Sequence, residues 1–170
     1  VGHKRIKGQE YDQFLETFVA KIHQAFPDAI LQWEDFAKHR GFQILEKYRQ
    51  TLPSFDDDIQ GTGAVVLAGI LSALKIKNEH IADQKFVIFG AGSGGVGLAR
   101  QIVLELIACG LSDAEARQRI CLVDSKGCVL RDRPNLEEYK KPFAIDPSCL
   151  TQLDATTGDP QLLDILHASK

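Results

Sequence analysis

The 170-residue sequence contains no methionine, a single tryptophan and only four cysteines. The cysteines, Cys109, Cys121, Cys128 and Cys149, make no C-x-x-C pair, and no histidine stands near them at zinc-site spacing. No structural zinc is expected, and free thiols in a reducing, cytoplasmic setting are. An excess of positive charge is missing too: 20 Lys+Arg stand against 23 Asp+Glu, for a formal charge of −3. Displacing counterions from nucleic acid takes a basic face, so no nucleic-acid partner is expected. The longest apolar run, residues 64–74, is shorter than the roughly 18 residues a bilayer span needs. Gly69 and Ser72 interrupt it, and no membrane partner is expected. The polar start VGHKRIKGQE holds no signal-peptide core. With no methionine at its head, and a helical pattern (Leu162, Leu163, Ile165, Leu166) close to its last residue, the sequence reads as a truncated piece of a longer polypeptide.

What remains is 44% hydrophobic and 25% charged, enough apolar content for a globular core. Phe14, Leu15, Phe18, Val19, Ile22 and Phe26 recur at helical spacing, which predicts an amphipathic helix over 10–26. A short apolar strand is expected over 29–33, ending at Glu34-Asp35, and a second helix over 41–49, stopped by Pro53. Residues 64–74 are apolar nearly all round, which predicts a buried helix. Residues 85–89 pack Phe86, Val87, Ile88 and Phe89 without alternation, as a strand covered on both faces of a parallel sheet does. A helix through Leu98, Ile102 and Leu106 follows, then Ser112 with Glu115 in capping-box spacing, then a second buried strand over 120–123. Beyond Gly127 the pattern weakens into a proline-punctuated, loop-rich stretch. The fold class is thus α/β, with a partial Rossmann-like parallel sheet unit preceded by the end of another α/β domain.

Between the two buried strands lies Gly90-Ala91-Gly92-Ser93-Gly94-Gly95, a G-x-G-x-x-G turn in the right context of strand before and helix after. Side chains at these positions would block the tight bend and keep a pyrophosphate from the backbone N–H groups, while the helix N-terminus supplies partial positive charge. Gly90, Ala91, Gly92, Ser93 and Gly95 are therefore candidate cofactor-binding residues. The acid that accepts from the adenosine ribose is expected at the end of the second strand, where Asp124 stands, 124 − 90 = 34 residues after the first glycine. That is later than the usual ~20, and the short extra helix at 112–119 accounts for the excess. Asp124 would repel a 2′-phosphate and so favours NAD, although Ser125, Lys126, Arg131 and Lys140 could receive the phosphate of NADP. No G-K-[ST] follows the turn, which excludes a P-loop.

Two acidic clusters are open to two readings. Glu34-Asp35 and Asp56-Asp57-Asp58 offer hard oxygen donors that would suit Mg²⁺ or Mn²⁺ if they converged. Asp35 and Asp58 are equally good helix N-caps, and acids in a loop are often only solvated. Three successive acids beside an apolar helix would need a cation to offset their burial, which favours an ion. The five histidines fall singly and receive no role, and Trp33 and Phe36 are assigned to the core.

Gln32-Trp33-Glu34-Asp35-Phe36-Ala37, then Phe55-Asp56-Asp57-Asp58-Ile59-Gln60-Gly61-Thr62, then Phe89 to Gly95, taken in this order and spacing, resemble the malic enzymes over roughly residues 3–143. The resemblance implies a divalent ion, Mg²⁺ or Mn²⁺, held by Glu34, Asp35 and Asp58, with Asp57 as a supporting catalytic acid. It implies a metal-side domain ending at residue 56 and an NAD(P)-binding domain from 57 to 170. The implied reaction is oxidative decarboxylation of L-malate to pyruvate and CO₂ with reduction of NAD(P)⁺, in a homodimer or homotetramer. The implied general base and substrate-positioning residues lie outside this sequence. Asp56 stands where the family usually has Asn, and Gly63 where it usually has Ala. A malolactic enzyme, taking malate to lactate, shares the same motifs. A nucleotide-sensing module without catalysis is the reading from another class.

Overall fold

The computed structural model describes residues 4–150. The expected helix around Leu162–Leu166 lies outside the described residues. By its contacts the chain divides into two compact units, Val1–Leu31 and Gln32–Lys170. The first holds α1 (Gly8–Ala25), whose spacing buries Leu15 and Val19 and leaves Phe14 and Phe18 exposed, as is Phe26 at its C-cap. The division falls within β1 (Leu31–Trp33), which pairs with β2 (Ser54–Asp56) in a two-stranded sheet.

In the second unit, α2 (Lys38–Tyr48) turns its apolar side, Phe42, Ile44, Leu45 and Tyr48, into the core. Trp33 is buried as expected, stacked on Tyr48 at 5.5 Å and edge-on to Phe36 at 5.9 Å. After β2 the chain makes a π-helical turn, Asp57–Gly61, that runs directly into α3 (Thr62–Lys77). Then come β3 (Phe86–Phe89), α4 (Ser93–Ala108), α5 (Asp113–Gln118), β4 (Ile120–Asp124) and β5 (Gly127–Cys128). β3 and β4 pair in parallel, Phe86 opposite Ile120 through Phe89 opposite Val123, as the strand–glycine turn–helix–strand order requires. The α5 start carries both halves of the capping box: Glu115 N donates to Ser112 Oγ, and Ser112 N donates to Glu115 Oε2 at 2.9 Å. The core gathers around α4, whose Val96, Ala99, Ile102, Val103 and Leu106 are buried against Ile59, Ile120, Leu122, Val129 and Phe143.

Three expectations need correction. The sheet is mixed, because β5 returns antiparallel to β4 with Val123 opposite Cys128 and Asp124 opposite Gly127. β3 is an edge strand of the order β3-β4-β5, so it is half-buried, and Phe89 at its end is 70% exposed. The third concerns α3, which is apolar nearly all round yet buries only Gly63 and Leu74, while Val65 stands 74% exposed. It packs on one side only, through Leu67, Ile70, Leu71 and Leu74, and no described residue covers its other face. Because the π turn continues into α3, the helical stretch Asp57–Lys77 reaches 21 residues and is, by length and composition, apolar enough to cross a membrane. The same properties belong to a helix layered on α4, and its packed side does that here.

Candidate functional site

The acidic cluster is assembled by two short strands and the turn that follows them. β1 ends at Trp33, and Asp35 adopts a left-handed conformation (φ 58°) that folds the chain back. Left-handed backbone is uncommon outside glycine, and Asp and Asn tolerate it better than most residues. The fold-back lets Asp35 N donate to Asp58 Oδ2 at 2.9 Å, across 23 residues of sequence. Glu34 Oε2 accepts from Gln32 Nε2 at 3.1 Å, which fixes the neighbouring carboxylate. Carboxylate oxygens of Glu34, Asp35 and Asp58 then lie within 4.8 Å of one another. The three residues that the resemblance named as ligands are thus brought together. Glu34 and Asp35 are exposed and Asp58 is half-buried, so an ion could enter from solvent. An all-carboxylate set at this spread fits a hard, six-coordinate ion that retains water, which describes Mg²⁺ and Mn²⁺ and disfavours zinc. Asp57, the predicted supporting acid, lies in the same turn but outside the converging set.

Asp56 has a different task. It is 1% exposed, and its Oδ1 accepts from Ile59 N at 2.9 Å, capping the π turn. Its own N donates to Gln60 Oε1 at 3.0 Å. Burial pushes its carboxyl above the usual range; the Ile59 amide opposes that, and the charges of Asp58, Glu34 and Asp57 add to it. The cost of packing an acid against the core therefore falls on Asp56, the neighbour of the ligand set. π turns recur at functional sites because the wider turn re-aims side chains, and here it presents Asp57 and Asp58 outward while Ile59 enters the core.

The second part of the site is a cleft of about 430 Å³ at the C-terminal ends of β3 and β4, bordered by Gly90, Ala91, Gly92, Asp124, Lys126 and Arg133 among others. That is where open parallel sheets bind ligands. Gly92 is the N-cap of α4, so the amides of the first helical turn face the cleft's end. Ser93 and Gly95 lie within that first turn and not on the cleft's lining. A Cβ on Gly95 would stand 1.8 Å from the Gly90 carbonyl oxygen, so this glycine lets the helix close on the strand. The π turn that carries Asp58 packs on the first turn of α4: a Cβ on Gly94 would lie 3.6 Å from the Asp58 carbonyl oxygen.

Asp124 stands at the cleft as expected, but its oxygens are engaged. Arg133 Nη1 donates to both at 2.8 Å, Lys140 Nζ to Oδ2 at 2.9 Å and Lys126 N to Oδ1 at 2.9 Å. Burial raises the carboxyl; the bonds from Lys140, the Lys126 amide and Arg133 outweigh it and bring the pKa down to about 2. Lys140 is in turn buried, which would lower its pKa, yet its bonds to Asp124 and Glu137 raise it. Of the cations proposed for a 2′-phosphate, Lys140 is thus committed to Asp124, and Arg131 is exposed outside the cleft lining. The sequence reading missed Arg133, which follows no motif and reaches Asp124 through a loop.

The chain matches two family models, described as "Malic enzyme, N-terminal domain" over residues 1–49 and "Malic enzyme, NAD binding domain" over residues 59–170. It is 47% identical over 141 residues to a malolactic enzyme of Leuconostoc mesenteroides, covering 83% of this chain and 26% of that protein. It is 41% identical over 165 residues to an NAD-dependent malic enzyme of Pseudomonas savastanoi pv. phaseolicola, covering 96% of this chain and 29% of that one. The structure resembles the crystal structure of Entamoeba histolytica malic enzyme with a TM-score of 0.60 at 28% identity, covering 77% of this chain and 25% of that one. The chain therefore spans less than a third of these relatives' lengths. With the glycine turn, the converging acids and both family models falling in one order along the sequence, the chain belongs to the malic enzyme family.

Proposed function

We propose that this chain supplies the metal ligands and the first half of the nicotinamide-dinucleotide site of an enzyme that oxidises and decarboxylates L-malate to pyruvate. The supporting observation is a packing contact: Asp58 lies on the turn packed against the first turn of α4, which follows the glycine turn, so a substrate held at the acids would lie near a cofactor held there. Glu34, Asp35 and Asp58 would hold Mg²⁺ or Mn²⁺. When bound, the ion supplies a Lewis acid for the oxygen on C2 of malate and for the negative charge left by loss of CO₂. The chain's own residues do the positioning. Asp35 N holds the Asp58 carboxylate in place, the π turn aims it, and Asp57 beside it supports the proton-transferring groups that the rest of the enzyme contributes. Gly90, Ala91 and Gly92 let the pyrophosphate approach the backbone, and NAD is the cofactor that a carboxylate at Asp124 favours.

In this proposal residues 1–56 belong to the malate and metal side and 57–170 to the dinucleotide side of a cytoplasmic homo-oligomer. The malolactic outcome is the second reading, favoured by the 47% identity to the Leuconostoc enzyme. Incubating the full-length enzyme that contains this chain with L-malate, NAD⁺ and Mn²⁺ separates them: pyruvate with stoichiometric NADH supports malic chemistry, and lactate without net NADH supports malolactic chemistry. Formation of neither pyruvate nor lactate overturns both readings. The metal assignment has its own check. Asp58→Ala removes an anionic ligand together with the acceptor of the Asp35 N–H bond and no core side chain, so turnover should fall by orders of magnitude with the circular dichroism unchanged. Near-normal activity at saturating Mn²⁺ would reduce Asp58 to a turn residue.

A further inference from the structure

Cys121 on β4 and Cys128 on β5 take no part in the site as described, yet they lie diagonally across one face of the hairpin that carries Asp124. The register sets Val123 opposite Cys128, and side chains two apart on a strand share a face, so Cys121, Val123 and Cys128 lie on one side of the hairpin. Their Sγ atoms are 3.3 Å apart. Cys128 is fully buried in a small apolar cluster with Val123 and Leu130, while Cys121 is half-buried at the edge of that cluster and retains a route to solvent. Cys109, by contrast, is exposed at the C-cap of α4. The Cys128 thiol hydrogen-bonds with Cys121 and lowers its pKa; burial opposes this.

We propose that Cys121 and Cys128 are a peroxide-oxidised dithiol that closes a disulfide across the β4–β5 hairpin. The Cys121 thiolate attacks one oxygen of hydrogen peroxide, the O–O bond breaks, and Cys121 becomes a sulfenic acid with release of hydroxide, which takes up the thiol proton as water. The Cys128 sulfur then attacks Cys121 Sγ as its own proton leaves; the S–S bond forms, the S–O bond breaks, and a second water departs. Two thiols have lost two electrons and the peroxide has gained them. Closing 3.3 Å to a bond of about 2.05 Å on a diagonal pair shifts β5 along β4. The strain has a short path to the cleft, because the Cys128 carbonyl accepts from Arg133 Nη2 and Arg133 Nη1 holds both oxygens of Asp124 at 2.8 Å. Oxidation therefore loosens the grip on Asp124 and weakens dinucleotide binding, a consequence that rests on the function proposed above.

The test separates the two statements. Reduced, desalted protein is treated with hydrogen peroxide under native conditions, quenched with N-ethylmaleimide and digested with trypsin. Cleavage after Arg119, Lys126 and Arg131 releases ICLVDSK and GCVLR. The expected product joins these two peptides, about 2 Da lighter than their sum. It should persist in Cys109→Ser and vanish in Cys128→Ser, where Cys121 halts at a sulfenic acid trapped by dimedone. A Cys121 that is over-oxidised without the cross-link, or a cross-link that forms only after unfolding, overturns the dithiol. Equilibrium NAD titration then compares reduced with oxidised protein. Weakening by about five-fold or more, reversed by dithiothreitol and absent in Cys128→Ser, supports the coupling. Equal affinity in both states overturns the coupling. A reduced protein that binds no NAD at all overturns the cofactor reading and leaves the cross-link result standing.

Discussion

Asp56 and Asp58 belong to one acidic string but differ in what they touch. The Asp56 carboxylate caps the Ile59 amide at 2.9 Å from a buried position, whereas Asp58 points toward Glu34 and Asp35. Asp56→Ala should lower stability by about 1–2 kcal/mol, the size of a lost cap, while Asp56→Asn keeps the acceptor oxygen and should cost much less. Thermal unfolding of both variants checks this; equal losses would mean that the buried charge, not the cap, is what the turn needs. Asp124 gives a pH signature. Its carboxyl is lowered from 3.8 to about 2 in the folded chain, so it contributes stability above pH 3.8 that is lost as pH falls toward 2. Asp124→Asn should be less stable than the parent by roughly 2 kcal/mol at pH 7, with the gap closing between pH 4 and 2. Urea unfolding at pH 7, 4 and 2.5 would show the convergence, and a gap independent of pH would remove the ionic explanation.

At the scale of elements, the fit between α4 and the π turn governs whether acids and glycine turn stay in register. A Cβ on Gly97 would come within 2.0 Å of the Ile59 carbonyl oxygen, a backbone atom that cannot swing aside. Gly97→Ala should therefore force α4 away from Asp57–Gly61, destabilise the chain by several kcal/mol, on the order of the larger overpacking costs, and weaken Mn²⁺ binding at the same time. Gly69, in the middle of α3, meets nothing within 4 Å. Gly69→Ala should instead stabilise the chain by about 0.5–1 kcal/mol by raising helix propensity, with Mn²⁺ binding unchanged. Calorimetric titration with Mn²⁺ beside thermal melts distinguishes the two, and parallel behaviour of both variants would show that the α4 contact does not position the acids.

At the scale of the whole molecule, the chain presents much of α3, with Val65, Val66 and Ile76, together with Leu104 and Phe89, as exposed apolar surface. It also spans under a third of its relatives. We expect the 170 residues alone to bind Mn²⁺ weakly, to self-associate through that surface and to show no malate-dependent reduction of NAD⁺. Sedimentation and an absorbance assay for NADH check both expectations; robust turnover would require a base within this chain.

Much of this was legible in the residues because it is local. The glycine turn, the capping box at Ser112 and Glu115 and the strand ending in Asp124 each depend on neighbours a few positions away, and spacing alone specifies them. The acids of Glu34-Asp35 and Asp58 were legible as a resemblance, while their convergence was not, since it depends on a left-handed Asp35 and a π turn that no periodicity announces. Apolarity predicted that α3 and β3 would be buried, yet hydrophobic residues specify only a preference for cover. Whether α4, a neighbouring strand or nothing described lies on each face is settled by long-range packing. The Arg133 and Lys140 clamp on Asp124 and the meeting of Cys121 with Cys128 have the same origin. A loop and a hairpin return bring distant side chains together, and charge and shape complementarity across that distance exists only once the tertiary structure has formed.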